Sequence, residues 1–291
     1  SWTAEGVLAL RAIGTLEPDE KIRNPDYLAE KFINPEFWHY SVYSPTDYAT
    51  NMKVVRAYRA DTYFLVNART HKIDQTLKEM AADGLEQVVV LGAGFDTRAY
   101  RFAEKMPQVR FFELDLPATL QRKKEMVKAA IGHVPDYVAY APIDFNTETI
   151  EEALVRVGYN PAQKTFFVWE GVTMYITEEA VRGTLTFIAT RSAPGSVVVF
   201  DYMMAGVAAK DWKTYPQARI IATLCALHGE PWIFGFPEPS AGPFVQKFGL
   251  DVVEDLDGKA MTEKYMTRSD GKRDGMAGSH WGLMHARVPR P

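Results

Sequence analysis

The residues of this chain whose types and spacing could do chemistry stand at the ends of successive apolar runs. Gln87 to Arg98 reads QVVVLGAGFDTR. Val88 to Leu91 forms an apolar strand-like run, Gly92-Ala93-Gly94 a sharp turn, and Asp96-Thr97 the start of a helix. That order lets backbone approach a ligand closely. Asp115 stands 21 residues after Gly94, closing Val109 to Asp115, VRFFELD. Glu113, two residues earlier, shares its face of the strand. An acid at this spacing meets ribose hydroxyls in dinucleotide folds, and a carboxylate accepts from two vicinal hydroxyls at once. Asp144-Phe145 sets an acid beside a ring, which suits an adenine amino group and its aromatic face. Glu170 closes the apolar run Thr165 to Trp169. Taken singly, each acid also reads as a solvated strand end or a cap; Asp144 in particular precedes a helical pattern over 147–157. Their recurrence at strand ends points to one site, because open α/β sheets bind ligands there.

Arg69 adds a cation. It lies one turn before Ile73, Leu77 and Met80, on the same apolar stripe of a helix, so it points inward. A lone inward arginine is costly unless paired. The helix from Arg69 to Gly84 spans ~22 Å, and Gln87 to Gly92 spans ~17 Å of strand. Antiparallel packing brings Arg69 level with the glycine turn. There it grips a ligand carboxylate in a bidentate pair or forms an internal salt bridge to Asp74 or Asp96. A cation, close-approach glycines and acids for ribose and adenine describe S-adenosylmethionine better than a nicotinamide dinucleotide. A pyrophosphate would want a third glycine at position 97, which is Thr97. Asp96, Thr97 and Arg98 are expected to cap the helix and brace the turn rather than touch the transferred group.

These residues require an alternating scaffold. Strands are expected at 87–91, 109–115, 137–143, 165–170, 196–202, 250–255 and 281–288, separated by helical patterns. This predicts an α/β fold with a mostly parallel sheet and helices on both faces. One domain is expected over 1–291. It has an N-terminal helical part (1–84), a cofactor-binding core (85–202), an inserted cap (203–243) and C-terminal strands (244–291). Short helices are expected at 4–13 and 26–33, and 46–82 reads as almost wholly helical, in two pieces. The cap stretch is too long for an ordinary connection and carries Trp212, Tyr215, Trp232, Phe234 and Phe236.

Composition narrows the class. The chain has 291 residues, 47% hydrophobic and 24% charged, with formal net charge −4. That suits a globular protein with a sizeable core and argues against a nucleic-acid or anionic-membrane surface. Cys225 is the single cysteine, so no intrachain disulfide and no cysteine-based metal cluster is expected, which favours a reducing, cytoplasmic setting. No window approaches the ~20 apolar residues that span a bilayer. SWTAEGVLALRAIG at the start reads as an amphipathic helix rather than a signal peptide.

Several pieces carry a family resemblance: TAEGVLALRAI at 3–13, ARTHKIDQTL at 68–77, VVLGAGFDTRAYR at 89–101, FFELDLPATLQRKK at 111–124 and FFVWEGVTMYIT at 166–177. Together they resemble the leucine carboxyl methyltransferase-like family of class I S-adenosylmethionine-dependent methyltransferases. The likeness is to its bacterial small-molecule branch, which includes polyketide O-methyltransferases. The C-terminal third matches only loosely. The resemblance implies a Rossmann-like class I methyltransferase fold whose seven-stranded sheet ends in an antiparallel strand. It implies that Arg69 holds the cofactor's carboxylate and that Gly92 and Gly94 admit the cofactor to the backbone. Asp115 would bind the ribose with Glu113 nearby, Asp144 and Phe145 would meet the adenine, and Glu170 would face the amine. The acid that many class I enzymes place before the glycine motif is replaced here by Val90-Leu91, a departure shared by the leucine carboxyl branch.

The expected reaction is methyl transfer to oxygen, on a small-molecule carboxylate or phenolic hydroxyl, in secondary metabolism. No metal, nucleic acid or membrane is called for, and the chain would work as a monomer or homodimer. The rivals are a nicotinamide-dependent oxidoreductase and a non-catalytic cofactor-binding protein. A carboxylate acceptor needs no base at neutral pH, whereas a phenol does. Tyr202, His39 and Tyr43 are the leading candidates for a base, with Tyr175 and His228 behind them. The aromatic groups at 37–48 and 212–236 are expected to line or cover an acceptor pocket for an apolar or aromatic compound, or else to form ordinary cap core.

Overall fold

A computed structural model describes residues 1–33, 47–58, 60–145 and 147–290. Apolar runs long enough to bury both faces form β1 (Gln87–Leu91), β2 (Arg110–Asp115), β3 (Val138–Pro142), β4 (Thr165–Trp169) and β5 (Val197–Met203). They are followed by β6 (Asp251–Asp257) and β7 (Trp281–Arg287). β1, β4 and β5 are buried along their whole length, as strands covered by helices on both sides must be. The order across the sheet is β3-β2-β1-β4-β5-β7-β6. The first five strands are parallel, and β7 runs antiparallel between β5 and β6. The chain passes from β1 to β2 on one side and returns to β4 on the other. A crevice therefore opens at the carboxyl ends of β1 and β4, where such sheets take ligands.

Among the described residues, the helices α1 (Trp2–Thr15), α2 (Ala29–Phe32), α3 (Tyr48–Tyr58) and α4 (Ala60–Ala82) precede the sheet. Between the parallel strands lie α5 (Arg98–Phe102), α6 (Pro117–Ile131), α7 (Ile150–Arg156) and α8 (Glu178–Thr190). Local sequence sets their ends. Pro117 opens α6, at the position where its missing N–H costs nothing. Thr149 and Glu152 form a reciprocal capping box on α7, and the Thr177 hydroxyl accepts from the Ala180 N–H at the start of α8. Thus α7 begins at Ile150, not at 147, and the helix expected over 26–33 is the single turn α2.

The stretch after β5 holds α9 (Ala205–Ala208), α10 (Ala218–Leu227) and α11 (Gly242–Gln246), and α12 (Gly258–Tyr265) joins β6 to β7. Its aromatics divide. Phe234, Phe236 and Phe244 pack with Phe200 and Tyr202 as core, while Trp232 faces the crevice. Among the described residues no helix is long and apolar enough to cross a membrane, and no group of ligating side chains has a metal-holding arrangement.

Gly14 allows α1 to lie directly against α4. A Cβ there would fall 2.0 Å from the Asn67 Oδ1 and 2.8 Å from the Asn24 Cβ. The Asn67 Oδ1 is already used, accepting from the Asn24 Nδ2 at 2.8 Å. Gly14→Ala must push the helices apart or break this buried bond, so a stability loss of about 2 kcal/mol is expected. Urea unfolding measures it, and a midpoint equal to wild type would refute this account of the α1–α4 contact.

Candidate active site

The crevice deepens into a cavity of about 660 Å³. Its floor is the glycine turn. Gly92 has φ +66 and Gly94 φ +40, left-handed conformations that glycine adopts without strain. A Cβ on Gly92 would strike Val172 at 2.4 Å, whereas one on Gly94 would make only ordinary contact, with the Gly92 carbonyl oxygen at 3.8 Å. Gly94 donates its N–H to the Asp115 Oδ2 at 2.7 Å, and Leu116 donates to the Oδ1 at 2.7 Å. The Asp115 carboxylate is thus fixed at the rim, half-exposed, and each oxygen keeps acceptor capacity for a hydroxyl.

Gly92, Gly94, Asp115, Asp144, Phe145, Glu170 and Arg69 all line this one cavity. Glu113 does not. Two residues back from Asp115, it sits ~7 Å deeper along the strand, fully buried beneath the floor. There it pairs with the Lys123 Nζ at 2.8 Å and accepts from the Tyr100 hydroxyl at 3.0 Å. Glu113 supports the floor and cannot reach a ligand. Tyr202 is also displaced from its expected place. Side chains alternate along β5, and its neighbour Asp201, fully buried, turns toward Arg69 of the cavity wall. Tyr202 therefore points to the opposite face, where it donates to the Asp255 Oδ1 at 2.6 Å and accepts from the Ala241 N–H at 3.2 Å. It is a core tyrosine and no base for this cavity. His39 and Tyr43 lie outside the described residues. His228 stacks on Trp2 with ring centroids 4.4 Å apart, and among the described residues no histidine or lysine lines the cavity.

One wall is a buried ion network. Arg69 reaches neither Asp74 nor Asp96; its Nε donates to the Glu170 Oε1 at 3.0 Å and its Nη1 to the Asp201 Oδ2 at 2.6 Å. Its charge is therefore matched inside the protein while it lines the cavity. Arg98 reaches the Glu170 Oε2 at 2.8 Å and the Asp74 Oδ1 at 2.8 Å, and also pairs with Asp96. Arg101 pairs with Asp74 at 2.6 Å and with Asp26 at 3.4 Å. Arg11, from α1, binds the Phe95 carbonyl at 2.6 Å and approaches Asp26 at 3.2 Å and Glu170 at 3.9 Å. Burial opposes a charge on Glu170, but the guanidiniums of Arg98, Arg69 and Arg11 hold its carboxyl down at about 2. Asp96 accepts from the Arg98 N–H at 2.7 Å and so caps α5, while Thr97 turns its hydroxyl to Asp26 instead of capping.

Reasoning from sequence missed Arg11 and Asp201. Both carried a usable signal: Arg11 interrupts the apolar pattern of α1 as Arg69 does in α4, and Asp201 interrupts the apolar strand VVVFDYM.

The opposite wall is apolar and aromatic, with Trp2, Val172, Tyr175, Ile221, Trp232 and Trp281 among its residues. The Trp232 Nε1–H donates to the Tyr175 hydroxyl at 3.1 Å, and Ile233 donates its N–H to the Met174 carbonyl at 2.8 Å. These bonds tie the segment after α10 to the segment after β4.

Comparison with known proteins adds to this geometry. The sequence profile of the leucine carboxyl methyltransferase family matches residues 4–189. A provisionally named S-adenosyl-L-methionine-dependent methyltransferase of Bacillus subtilis is 31% identical over 190 residues, covering 65% of this chain and 62% of its own length. A provisionally named relative from Streptomyces coelicolor is 34% identical over 198 residues, covering 67% and 66%. The chain thus spans less than two thirds of the length of either. Two solved structures share the fold. A protein of a DUF574 family from Streptomyces avermitilis has TM-score 0.57 at 17% identity, covering 87% of this chain and 96% of its own. A provisionally described methyltransferase from Thermobifida fusca has TM-score 0.55 at 12% identity, covering 97% and 94%.

Glu113 yields a test of the cavity floor. Burial pushes its carboxyl up from 4.5 to about 6, against the pull of Lys123. The folded chain therefore holds the extra proton between those values. The stability this group contributes is present below its unfolded pKa and is lost as pH rises through its folded one. The shift corresponds to about 2 kcal/mol. The unfolding free energy of Glu113→Gln relative to wild type should rise by that amount between pH 4 and pH 7. A constant difference across the range would show that Glu113 is not buried as described.

Proposed function

The chain belongs to the leucine carboxyl methyltransferase family, and from that premise we propose that it transfers the methyl group of S-adenosylmethionine to an oxygen of a small acceptor. The observation that carries this reading is the single cavity joining the Gly92–Gly94 floor, the Asp115 rim, the Glu170 wall and an aromatic face. The residues fit the cofactor. Gly92 and Gly94, without side chains on the cavity floor, admit it close to backbone. Asp115 holds the ribose hydroxyls, Asp144 and Phe145 the adenine, and Glu170 the amine. Arg69, with Arg11, keeps Glu170 charged and in place, and its guanidinium on the cavity wall faces the cofactor's carboxylate.

When bound, the cofactor supplies an electrophilic methyl on a sulfonium. What the chain contributes is position and dryness. The glycine floor and Asp115 set the cofactor's depth, and the aromatic wall excludes water from the acceptor side. Since no histidine or lysine lines the cavity among the described residues, the site suits an acceptor oxygen that is already ionised or easily made so, a carboxylate or an activated phenol.

Calorimetry tests this reading. S-adenosylhomocysteine should bind one-to-one. Asp115→Ala should weaken it by roughly 2 kcal/mol, the range for losing hydrogen bonds to a charged group. Binding of NADH with no response to S-adenosylhomocysteine would favour the oxidoreductase instead.

A further inference from the structure

α1 is a ruler along the cavity. Arg11 at one end bonds the glycine-turn loop through the Phe95 carbonyl, and Trp2 at the other end faces the aromatic wall. The separation is ~14 Å along the helix. At the Trp2 end stands a carboxylate that the methyl-transfer site does not use. Glu230 lines the cavity, and its Oε2 accepts from the Thr3 N–H at 2.9 Å. Trp232, two residues on, meets Trp281 edge-on at 5.3 Å and donates to Tyr175, and Trp2, Trp232, Trp281 and Tyr175 line the same cavity as this acid, Trp2 with His228 stacked on one face.

The cations of the cavity wall are engaged elsewhere. Arg69 and Arg11 converge on Glu170, and Arg122 pairs with Glu5 and lies over the Phe95 ring. Burial opposes a charge on Glu230, yet hydrogen bonds from Ser1 and Thr3 leave its carboxyl below the ordinary value. An ionised acid in a cavity that also presents tryptophan rings is the chemistry that holds an ammonium, by charge and by cation–π attraction. It is also the wrong chemistry for a second carboxylate.

We propose that Glu230, with Trp2, Trp232 and Trp281, determines acceptor specificity by holding a protonated amine. The acceptor is then a small aromatic compound with the methylated oxygen at one end and an ammonium at the other. This rests on reading the cavity as a methyl-transfer site. Glu230 positions the acceptor and takes no part in the chemical step.

The test uses the whole chain saturated with S-adenosylhomocysteine and compares tyramine with 4-ethylphenol, phenols of similar shape with and without an ammonium. Tyramine should bind at least about tenfold more tightly, the step worth ~1.4 kcal/mol. Glu230→Gln, whose amide oxygen can still accept from Thr3, should bring the ratio near one while leaving S-adenosylhomocysteine affinity unchanged. A purely structural Glu230 would leave that ratio intact. Equal binding, tighter binding of 4-ethylphenol, no binding of either phenol, or a preference that survives in Glu230→Gln overturns the proposal and leaves the methyltransferase reading standing. Failure of S-adenosylhomocysteine itself to bind overturns both.

Discussion

Everything around the cavity depends on where Glu170 puts its charge. A carboxylate taken out of water costs several kcal/mol unless it is paired and hydrogen-bonded. Here three guanidiniums do that work, from α1, α4 and α5: Arg11, Arg69 and Arg98. None of these helices packs where it does through apolar contact alone. Arg98 is shared with Asp74, Arg11 with Asp26, and Arg69 with Asp201. The network therefore ties the N-terminal helices to the ends of β4 and β5. Removing Arg69 would leave the buried Asp201 without its arginine, while Glu170 would keep Arg98 and Arg11.

The same network defines the polarity of the cavity. On its side lie ionised groups fixed in orientation before any ligand arrives, and on the other lie Trp2, Tyr175 and Trp232. A cationic, amphipathic nucleoside suits the first side and a flat acceptor the second. The sheet topology places both at the switch between β1 and β4, so chemistry and scaffold share one origin in strand order.

Much of this was legible in the residues. Apolar runs bounded by glycine, proline and acids located every strand, because β-branched and aromatic residues pack well on a pleated surface covered on both sides. Helix and strand lengths set Arg69 level with the carboxyl ends of the strands. They do not encode its partner. Asp201 lies 132 positions away from Arg69, and no local spacing encodes that contact. The misplacement of Tyr202 has a simpler cause. Alternation turns only one of two neighbouring side chains toward the cavity wall, and there Asp201 binds Arg69. Glu113 failed for a related reason: it shares the face of Asp115 but lies one repeat too deep, where Lys123 meets it.

The most direct measurement of the central claim is a crystal structure of the chain with S-adenosylhomocysteine. The account predicts the ribose on Asp115, the adenine between Asp144 and Phe145, and the amino group at Glu170 with its arginine network unchanged. A ligand seated away from the Gly92–Gly94 turn, or Glu170 turned from Arg69 and Arg98 toward solvent, would contradict it.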